Sequence, residues 1–377
     1  MSARLRLFLW SAVAALAGGL LLKHFVFDVY RVDSASMEPT IMGSREGGER
    51  VLVHYGAFVP RRFDPVVVTR QGEGKPLVKR AAGLPNERVQ IVGGDLLIDG
   101  RRLGISIPRP APISVLDTRP GAWSEAFFEE SPGSLQRSGA ELRLTASGEQ
   151  AARLLLRGDV HDDFFDEQRG LVRGQQSVND LLIDAEFELA PGAVAGFELT
   201  DQGDLFRVEI ARGAEQLECS LIREGEGVLA VQRHPSGRRL RFFNIDDSLC
   251  MRIDEHEASV IAGGENKLDP NDVTGAGKHL QPRVRVWVRQ GSLLLRSFQL
   301  SRDLYYTERG EYARKSALRL GMGECFLLGD NSAVSRDGRE WGPTPLETIL
   351  GHPTHIVWPL ERWREFPAPQ PLEKAAR

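Results

Sequence analysis

The sequence predicts a mainly β chain behind a single N-terminal transmembrane helix. Three observations carry that reading. Residues 7–22 form the one apolar run longer than a strand. Short Val-, Ile- and Leu-rich segments recur through the rest of the 377 residues. Turn signals such as Gly93-Gly94 and Asp99-Gly100 separate them. The formal net charge of −4 gives no electrostatic case for a nucleic-acid partner. Cys219, Cys250 and Cys325 have no metal-ligand spacing. Cys219 and Cys250 are open to two readings, a disulfide or two buried thiols.

Residues 1–27 read as a cytoplasmic N-terminus and membrane anchor. Lys23 and His24 interrupt the apolar run before Phe25-Val26-Phe27. A span needs about 17–25 residues. Lys23 can snorkel to the headgroups, which extends the span to Phe27. Arg4 and Arg6 favour a cytoplasmic N-terminus and place the rest of the chain on the far side. Ala15-Leu16-Ala17 also fits a signal-peptide cleavage site. A retained tether is the more economical reading, because a candidate nucleophile follows shortly after.

Residues 28–107 read as a first β-domain part, with strands at 50–54, 65–69, 88–92 and 95–98. A proline-rich joint, Pro108-Arg109-Pro110-Ala111-Pro112, opens a long segment over 108–318. Its candidate strands are 181–189, 194–199, 205–210, 219–223, 228–232, 239–244, 250–254, 284–289 and 293–300. So many strands with so little helix predict a β-sandwich or jelly roll. The stretch up to Tyr305-Tyr306 is similar to the closing strands of a concanavalin-like jelly roll. Residues 319–377 hold the last strands, 325–328 and 356–359, and a tail.

Two short pieces carry chemistry. Asp33-Ser34-Ala35-Ser36-Met37-Glu38-Pro39-Thr40 offers a serine hydroxyl, and Leu77-Val78-Lys79-Arg80-Ala81-Ala82-Gly83-Leu84-Pro85 offers a lysine amine. Together they supply a nucleophile and a general base without histidine. Lysine acts as a base only when neutral, so the fold must desolvate it. Apolar Leu77, Val78, Ala81 and Ala82 suit a buried strand around Lys79, and alternation turns Arg80 to the opposite face.

With a third block, Gly329-Asp330-Asn331-Ser332-Ala333-Val334-Ser335-Arg336-Asp337-Gly338-Arg339 before Trp341-Gly342, the chain resembles the type I signal peptidases. These are membrane-anchored Ser-Lys proteases that remove signal peptides from exported proteins. The resemblance covers residues 1 to about 107 and about 320 to 365, so 108–318 reads as an insertion within one domain. It implies Ser36 as nucleophile, Lys79 as base, and Ser34 with the Ser36 N–H as oxyanion donors. Such donors are worth roughly 2.7–4 kcal/mol each in a transition state. It implies that Ser335 orients the lysine amine. Tyr30, Val32, Met37 and Val78 would wall small-residue pockets, and Pro39 would fix the chain leaving the serine. Asp330, Asn331, Asp337 and Arg339 would support the turn, Asp330 and Asn331 by side-chain to backbone bonds and Asp337 with Arg339 as a pair. The implied partners are preprotein signal peptides and the lipid bilayer, with no metal or organic cofactor. The implied location is the cell membrane, single-pass, with the catalytic domain outside the cytoplasm.

Three departures from the family pattern concern turns. Phe63-Asp64 and Asn86-Glu87 stand where Gly-Asp is usual, and Asp337-Gly338-Arg339 where Asp-Ser-Arg is usual. His161-Asp162-Asp163 with Asp166 reads as a solvated loop. The acidic stretch 265–272 lacks the glycine and closing Glu of an EF-hand loop. Trp358 and Trp363 suit either lipid contact or core packing. An alternative reading keeps the frame as a membrane stand for a module that binds a glycan or an envelope protein.

Overall fold

Alternating apolar residues decide which face of each strand is covered, and the result is four main antiparallel sheets. The structure is a computed structural model. It describes residues 10–11, 13, 26–43, 47–56, 58–70, 72, 74–118, 127–129, 134–139, 141–156, 159–201, 203–246, 248–256, 259–261 and 283–372. The expected anchor over 1–27 lies almost wholly outside the described residues, as does the acidic stretch 265–272. Among the described residues, no helix is long and apolar enough to cross a membrane.

The frame that carries Ser36 and Lys79 is built from both ends of the chain. Its main sheet contains β1 (Phe27–Arg31), β2 (Arg50–Tyr55), β3 (Pro65–Val68) and β4 (Leu77–Gly83). The late strand Ile349–Trp358 lies between β2 and β3, and Glu324–Leu328 lies beside β4. Val51 and Val53 of β2 point one way and pack with Met37, Ile41, Val67 and Ile356. Val66 and Val68 of β3 pack on the other face with Ala81, Cys325 and Leu327. A smaller sheet holds β5 (Arg88–Val92), β6 (Asp95–Ile98), β7 (Arg101–Arg102) and Leu318–Arg319.

Two of the family departures have a local explanation. Phe63 and Asn86 both adopt a left-handed backbone, with φ of 61° and 69°. Glycine enters that region freely, whereas an L side chain pays about 1–2 kcal/mol. Asn reduces the cost by bonding locally. Phe63 offsets it by burying its ring with Ala82, Val89 and Phe326.

The insert is a two-sheet antiparallel sandwich. One sheet runs Leu135–Ser138, Glu141–Thr145, Ser292–Arg302, Leu181–Leu189, Arg239–Ile245, Ser248–Ile253, Ser259–Ile261, with Ile113–Asp117 also on Ser292–Arg302. The other runs Gly227–His234, Leu217–Arg223, Asp204–Arg212, Val194–Asp201, Arg283–Gln290, Ala152–Leu156, Phe127–Glu129. Their facing sides close one core that includes Phe187, Phe197, Phe242, Val286 and Phe298. Cys219, Cys250 and Cys325 are buried thiols, not joined in disulfides.

Packing crosses the expected boundaries, 108–318 for the insert and 319–377 for the second frame part and tail, in two places. Sandwich strands stop at Arg302, and Tyr306, Ala313 and Leu318 pack into the frame's core with Phe63 and Phe326. In the tail, Leu372 packs against the insert's Leu182, Phe243 and Ile245, and its carbonyl accepts from Arg241 Nη1 at 3.1 Å. Tyr305-Tyr306, the end of the stretch similar to closing jelly-roll strands, divides between the two parts: Tyr305 packs against the sandwich core, and Tyr306, 4% exposed, packs in the frame core.

Candidate active site

The Ser36 turn leaves β1 at Val32 and ends at Thr40. Ser34 is extended, with φ −137° and ψ 151°, and Ala35–Met37 form one 3-10 turn. Ser36 is therefore not in extended structure, yet its Oγ lies 3.2 Å from Ser34 Oγ. Met37, fully buried among Val51, Val67 and Ile356, pins the turn to the sheet.

Lys79 sits in β4 and is 2% exposed. Its Nζ donates to Ser36 Oγ at 2.7 Å and to the Val78 carbonyl at 2.9 Å. Burial of this degree disfavours an ammonium, which is the condition a lysine base requires. β4 pairs with Glu324–Leu328 only from Arg80 onward. Among the described residues, Leu77, Val78 and Lys79 thus have a strand neighbour, β3, on one side only. A cavity of about 380 Å³ opens there, and Tyr30, Val32, Ser34, Ser36, Val78 and Lys79 line it. Met37 also faces it, so all four residues expected to wall a pocket meet in one cavity.

The 329–339 block closes over the other side of the turn. Gly329 is required by contact: a Cβ there would stand 2.2 Å from Ser335 Oγ and 2.5 Å from the Ser36 carbonyl. Asn331 N–H donates to the Ser36 carbonyl at 3.1 Å, and Asn331 Nδ2 to the Ala35 carbonyl at 2.9 Å. Ser335 is fully buried, but the expected bond to the lysine amine is not formed. Its Oγ has no hydrogen-bond partner among the described residues. The lysine points its amine at Ser36 Oγ and the Val78 carbonyl instead.

Among the described residues, the Asp330 carboxylate bonds outside its own turn. It forms a two-point pair with Arg80, Nε to Oδ1 at 2.7 Å and Nη2 to Oδ2 at 2.8 Å, with both side chains 2% exposed. Thr40 Oγ1 adds a bond to Asp330 Oδ2 at 2.5 Å. This ties the Ser36 turn, β4 and the 329–339 block together. Asp337 and Arg339 form a second two-point pair, at 2.8 and 2.7 Å. Asp337 also accepts Gly329 N–H at 3.1 Å and caps the short helix Gly338–Trp341.

Sequence reasoning missed Arg80 as a support residue, although alternation did send it away from Lys79. It also missed Thr307 and Arg309. Thr307 N–H donates to Ser332 Oγ at 2.8 Å, and Arg309 donates to the Ala333 and Ser335 carbonyls. The stretch around His161, expected to be a solvated loop, instead forms the hairpin Phe164–Asp166 with Gly170–Val172. Asp162 is 7% exposed, and its Oδ1 accepts Gln176 N–H at 2.8 Å. Glu167 at the hairpin tip accepts Ala35 N–H at 3.2 Å. Burial pushes the Glu38 carboxyl up to about 7; Glu167 and Glu49 add to this, and the Gly43 N–H opposes it. Local composition carries no signal for a contact between positions 35 and 167.

Comparison with known proteins follows the same residues. The family model described as "Signal peptidase, peptidase S26" matches residues 4–127 and 282–358. A signal peptidase I of Bacillus licheniformis is 33% identical over 104 residues, 26% of this chain and 53% of that protein. One from Bacillus caldolyticus is 31% identical over 113 residues, 29% of this chain and 59% of that protein. Subunit 2 of the mitochondrial inner membrane protease of Mus musculus is 33% identical over 57 residues, 15% of this chain and 33% of that protein. The chain spans about half the length of the Bacillus relatives. Among solved structures, the CBM2 module of the evolved Dit protein of Lactobacillus casei BL23 phage J-1 overlays with a TM-score of 0.35 and 10% identity, covering 52% of this chain and 98% of that one.

Proposed function

On the premise that this chain belongs to the signal peptidase family, peptidase S26, we propose that it is a membrane-bound serine endopeptidase that removes signal peptides from exported preproteins. One observation carries the proposal: a buried lysine amine lies 2.7 Å from a serine hydroxyl on the wall of an open cavity. Neutral Lys79 takes the proton from Ser36 Oγ as the oxygen attacks the scissile carbonyl. The backbone N–H of Ser36 and the Ser34 hydroxyl receive the developing negative oxygen. Lys79 then passes its proton to the leaving amine, and water, activated by the same lysine, releases the acyl group. Ser335 takes up the lysine amine as it moves between these partners, which would engage the unpaired hydroxyl. The mechanism needs no metal or organic cofactor.

The cleavage segment lies extended beside Leu77–Lys79, where β4 lacks a second neighbour, and joins the sheet by strand addition. Tyr30, Val32, Met37 and Val78 favour small side chains before the scissile bond. Residues 1–27 anchor the chain in the membrane, with the frame on the extracytoplasmic side. Trp358, Leu360 and Trp363, exposed by 49%, 67% and 62%, give the frame an apolar rim at headgroup depth. The test is preprotein cleavage in lipid or detergent by Ser36→Ala and Lys79→Ala. Both variants should keep their circular dichroism and lose cleavage by at least a thousandfold, since triad-type losses reach about that size. Full turnover by either folded variant overturns the Ser-Lys assignment.

A further inference from the structure

The insert's hairpin reaches the turn that carries the nucleophile. Its tip is closed by Asp166 Oδ1, which accepts the N–H groups of Gln168 and Arg169 at 3.0 and 2.9 Å. Its base is clamped to the sandwich. Arg302 Nη2 donates to the Asp163 carbonyl at 2.7 Å, and Gly174 N–H to Asp163 Oδ1 at 2.8 Å. Held at both ends, the hairpin sets Glu167 Oε1 against Ala35 N–H. Asn331 bridges the two, with Nδ2 donating to the Ala35 carbonyl at 2.9 Å and to the Phe165 carbonyl at 2.7 Å.

Between hairpin and turn lies a second cavity, of about 240 Å³. Phe164, Phe165 and Leu171 form its insert side, and Glu38, Pro39 and Asn331 its frame side. It shares no lining residue with the first cavity, yet both adjoin one turn: Ser34 and Ser36 line the first, Glu38 and Pro39 the second. Two residues that line it carry buried acceptors without partners among the described residues, Glu38 Oε2 and Asn331 Oδ1. Asn331 Nδ2 is already committed to two carbonyls, which fixes the amide orientation and leaves Oδ1 vacant. Buried acceptors without donors are costly, so this cavity suits an occupant that brings N–H groups. Leu171 is 74% exposed on its rim, an apolar side chain with little of its own to cover it.

We propose that this hairpin is the wall on which the preprotein lies beyond the scissile bond. An apolar side chain of the mature segment enters the second cavity, and backbone N–H groups of that segment bond Glu38 Oε2 and Asn331 Oδ1. The inference rests on the peptidase reading. An extended chain advances about 3.3 Å per residue. A peptide running past Ser36 from the first cavity therefore meets Glu38 and Pro39 within its next few residues. The insert then selects on the mature side and the frame on the signal side.

Two measurements on the full-length protein test this. The first compares kcat/KM of wild type and Leu171→Asp on two preprotein series, one varied just before the cut and one at the first three residues after it. Leu171 is exposed, so folding is not at stake. The variant should lose at least fivefold of the preference for apolar mature-side residues, with the signal-side preference unchanged. An unchanged mature-side preference, or an equal fall in both series, overturns the proposal. The second holds an uncut preprotein with a photo-reactive leucine at the second mature position on Ser36→Ala and maps the cross-links. Links within 162–173 are expected, and links found only elsewhere overturn the proposal. A wild type that cuts no preprotein overturns the peptidase reading, and the cross-link map then decides the hairpin separately.

Discussion

Two buried charge clusters in this molecule use the same side chains to opposite effect. Around the Ser36 turn, each arginine meets one carboxylate. Arg80 gives Nε and Nη2 to Asp330 and Nη1 to the Phe63 carbonyl. Arg339 gives Nε and Nη2 to Asp337 and Nη1 to Thr307 and Ser332. At the joint between frame and insert, carboxylates outnumber their partners. Asp95 of β6 and Asp180 and Asp246 of the insert bring carboxylate oxygens within 4.8 Å of one another. Arg109 Nη1 bonds Asp246 at 2.7 Å and Asp303 at 2.8 Å, and Arg102 Nε bonds Asp95 at 2.7 Å. Burial first, then mutual repulsion, pushes Asp95 up to about 7, Asp246 to about 6, and Asp180 well above the usual carboxylate range. The balanced cluster fixes geometry, and the unbalanced one makes stability depend on pH.

The largest effect comes from breaking the balanced cluster. Arg80→Met leaves Asp330 buried without its cation, which costs about 3–5 kcal/mol. Urea unfolding should show that loss, together with reduced preprotein cleavage. Adding Asp330→Leu should restore much of the stability, because a buried pair replaced on both sides is close to neutral. If the single variant loses less than about 1 kcal/mol, the pair does not hold the turn.

The unbalanced cluster should give a smaller effect with a pH signature. A carboxyl whose folded value is raised favours the fold fully below its unfolded value. That contribution is lost as pH climbs through the folded value. For Asp95 the window runs from the ordinary carboxyl value of 3.8 to about 7. Wild-type stability should fall across it. Asp95→Asn removes that titration and should raise stability at pH 8 by roughly 2–4 kcal/mol relative to wild type, with little change at pH 3.5. Arg102 Nε still finds an amide oxygen. Melting temperatures of both proteins at the two pH values decide it, and equal shifts at both would remove the electrostatic explanation.

The smallest effect belongs to a site outside both clusters. Asn86 has a φ of 69°, and Asn86→Gly relieves the backbone while loosening the unfolded chain. These oppose, so the change should stay below about 1 kcal/mol and show no pH dependence. A larger or pH-dependent shift would mean that the Asn86 side chain does more than tolerate its turn.

Strand placement was legible where apolar residues alternate, as in Val51 and Val53 of β2, because burial on one face is a local demand. The meeting of Ser36 and Lys79 could be expected because each motif lies within a short stretch. Arg80 was half legible: alternation gave its face, but the carboxylate it pairs with there, Asp330, lies far along the chain. The hairpin at 164–172 was not legible, since Phe164-Phe165 among acidic residues has neither period. What orders it is contact with Arg302, Ala35 and Asn331. Tyr306, inside the expected 108–318 segment, packs with the frame instead, and its aromatic ring gave no warning because such residues suit a strand and a core equally.

The pairing of β2 with Ile349–Trp358 and of β4 with Glu324–Leu328 sets an order for birth of the molecule. The first half of the frame leaves the ribosome early but has no sheet to join until the last strands follow. The sandwich closes within a contiguous run, with Ile113 paired to Arg302 at its ends, so it is complete sooner. Synthesis at about 5–20 residues per second separates the two events by several seconds. Ser36 and Lys79 stay unassembled through that interval. The hairpin gains its contacts to Ala35 and Asn331 only when the Ser36 turn finally forms.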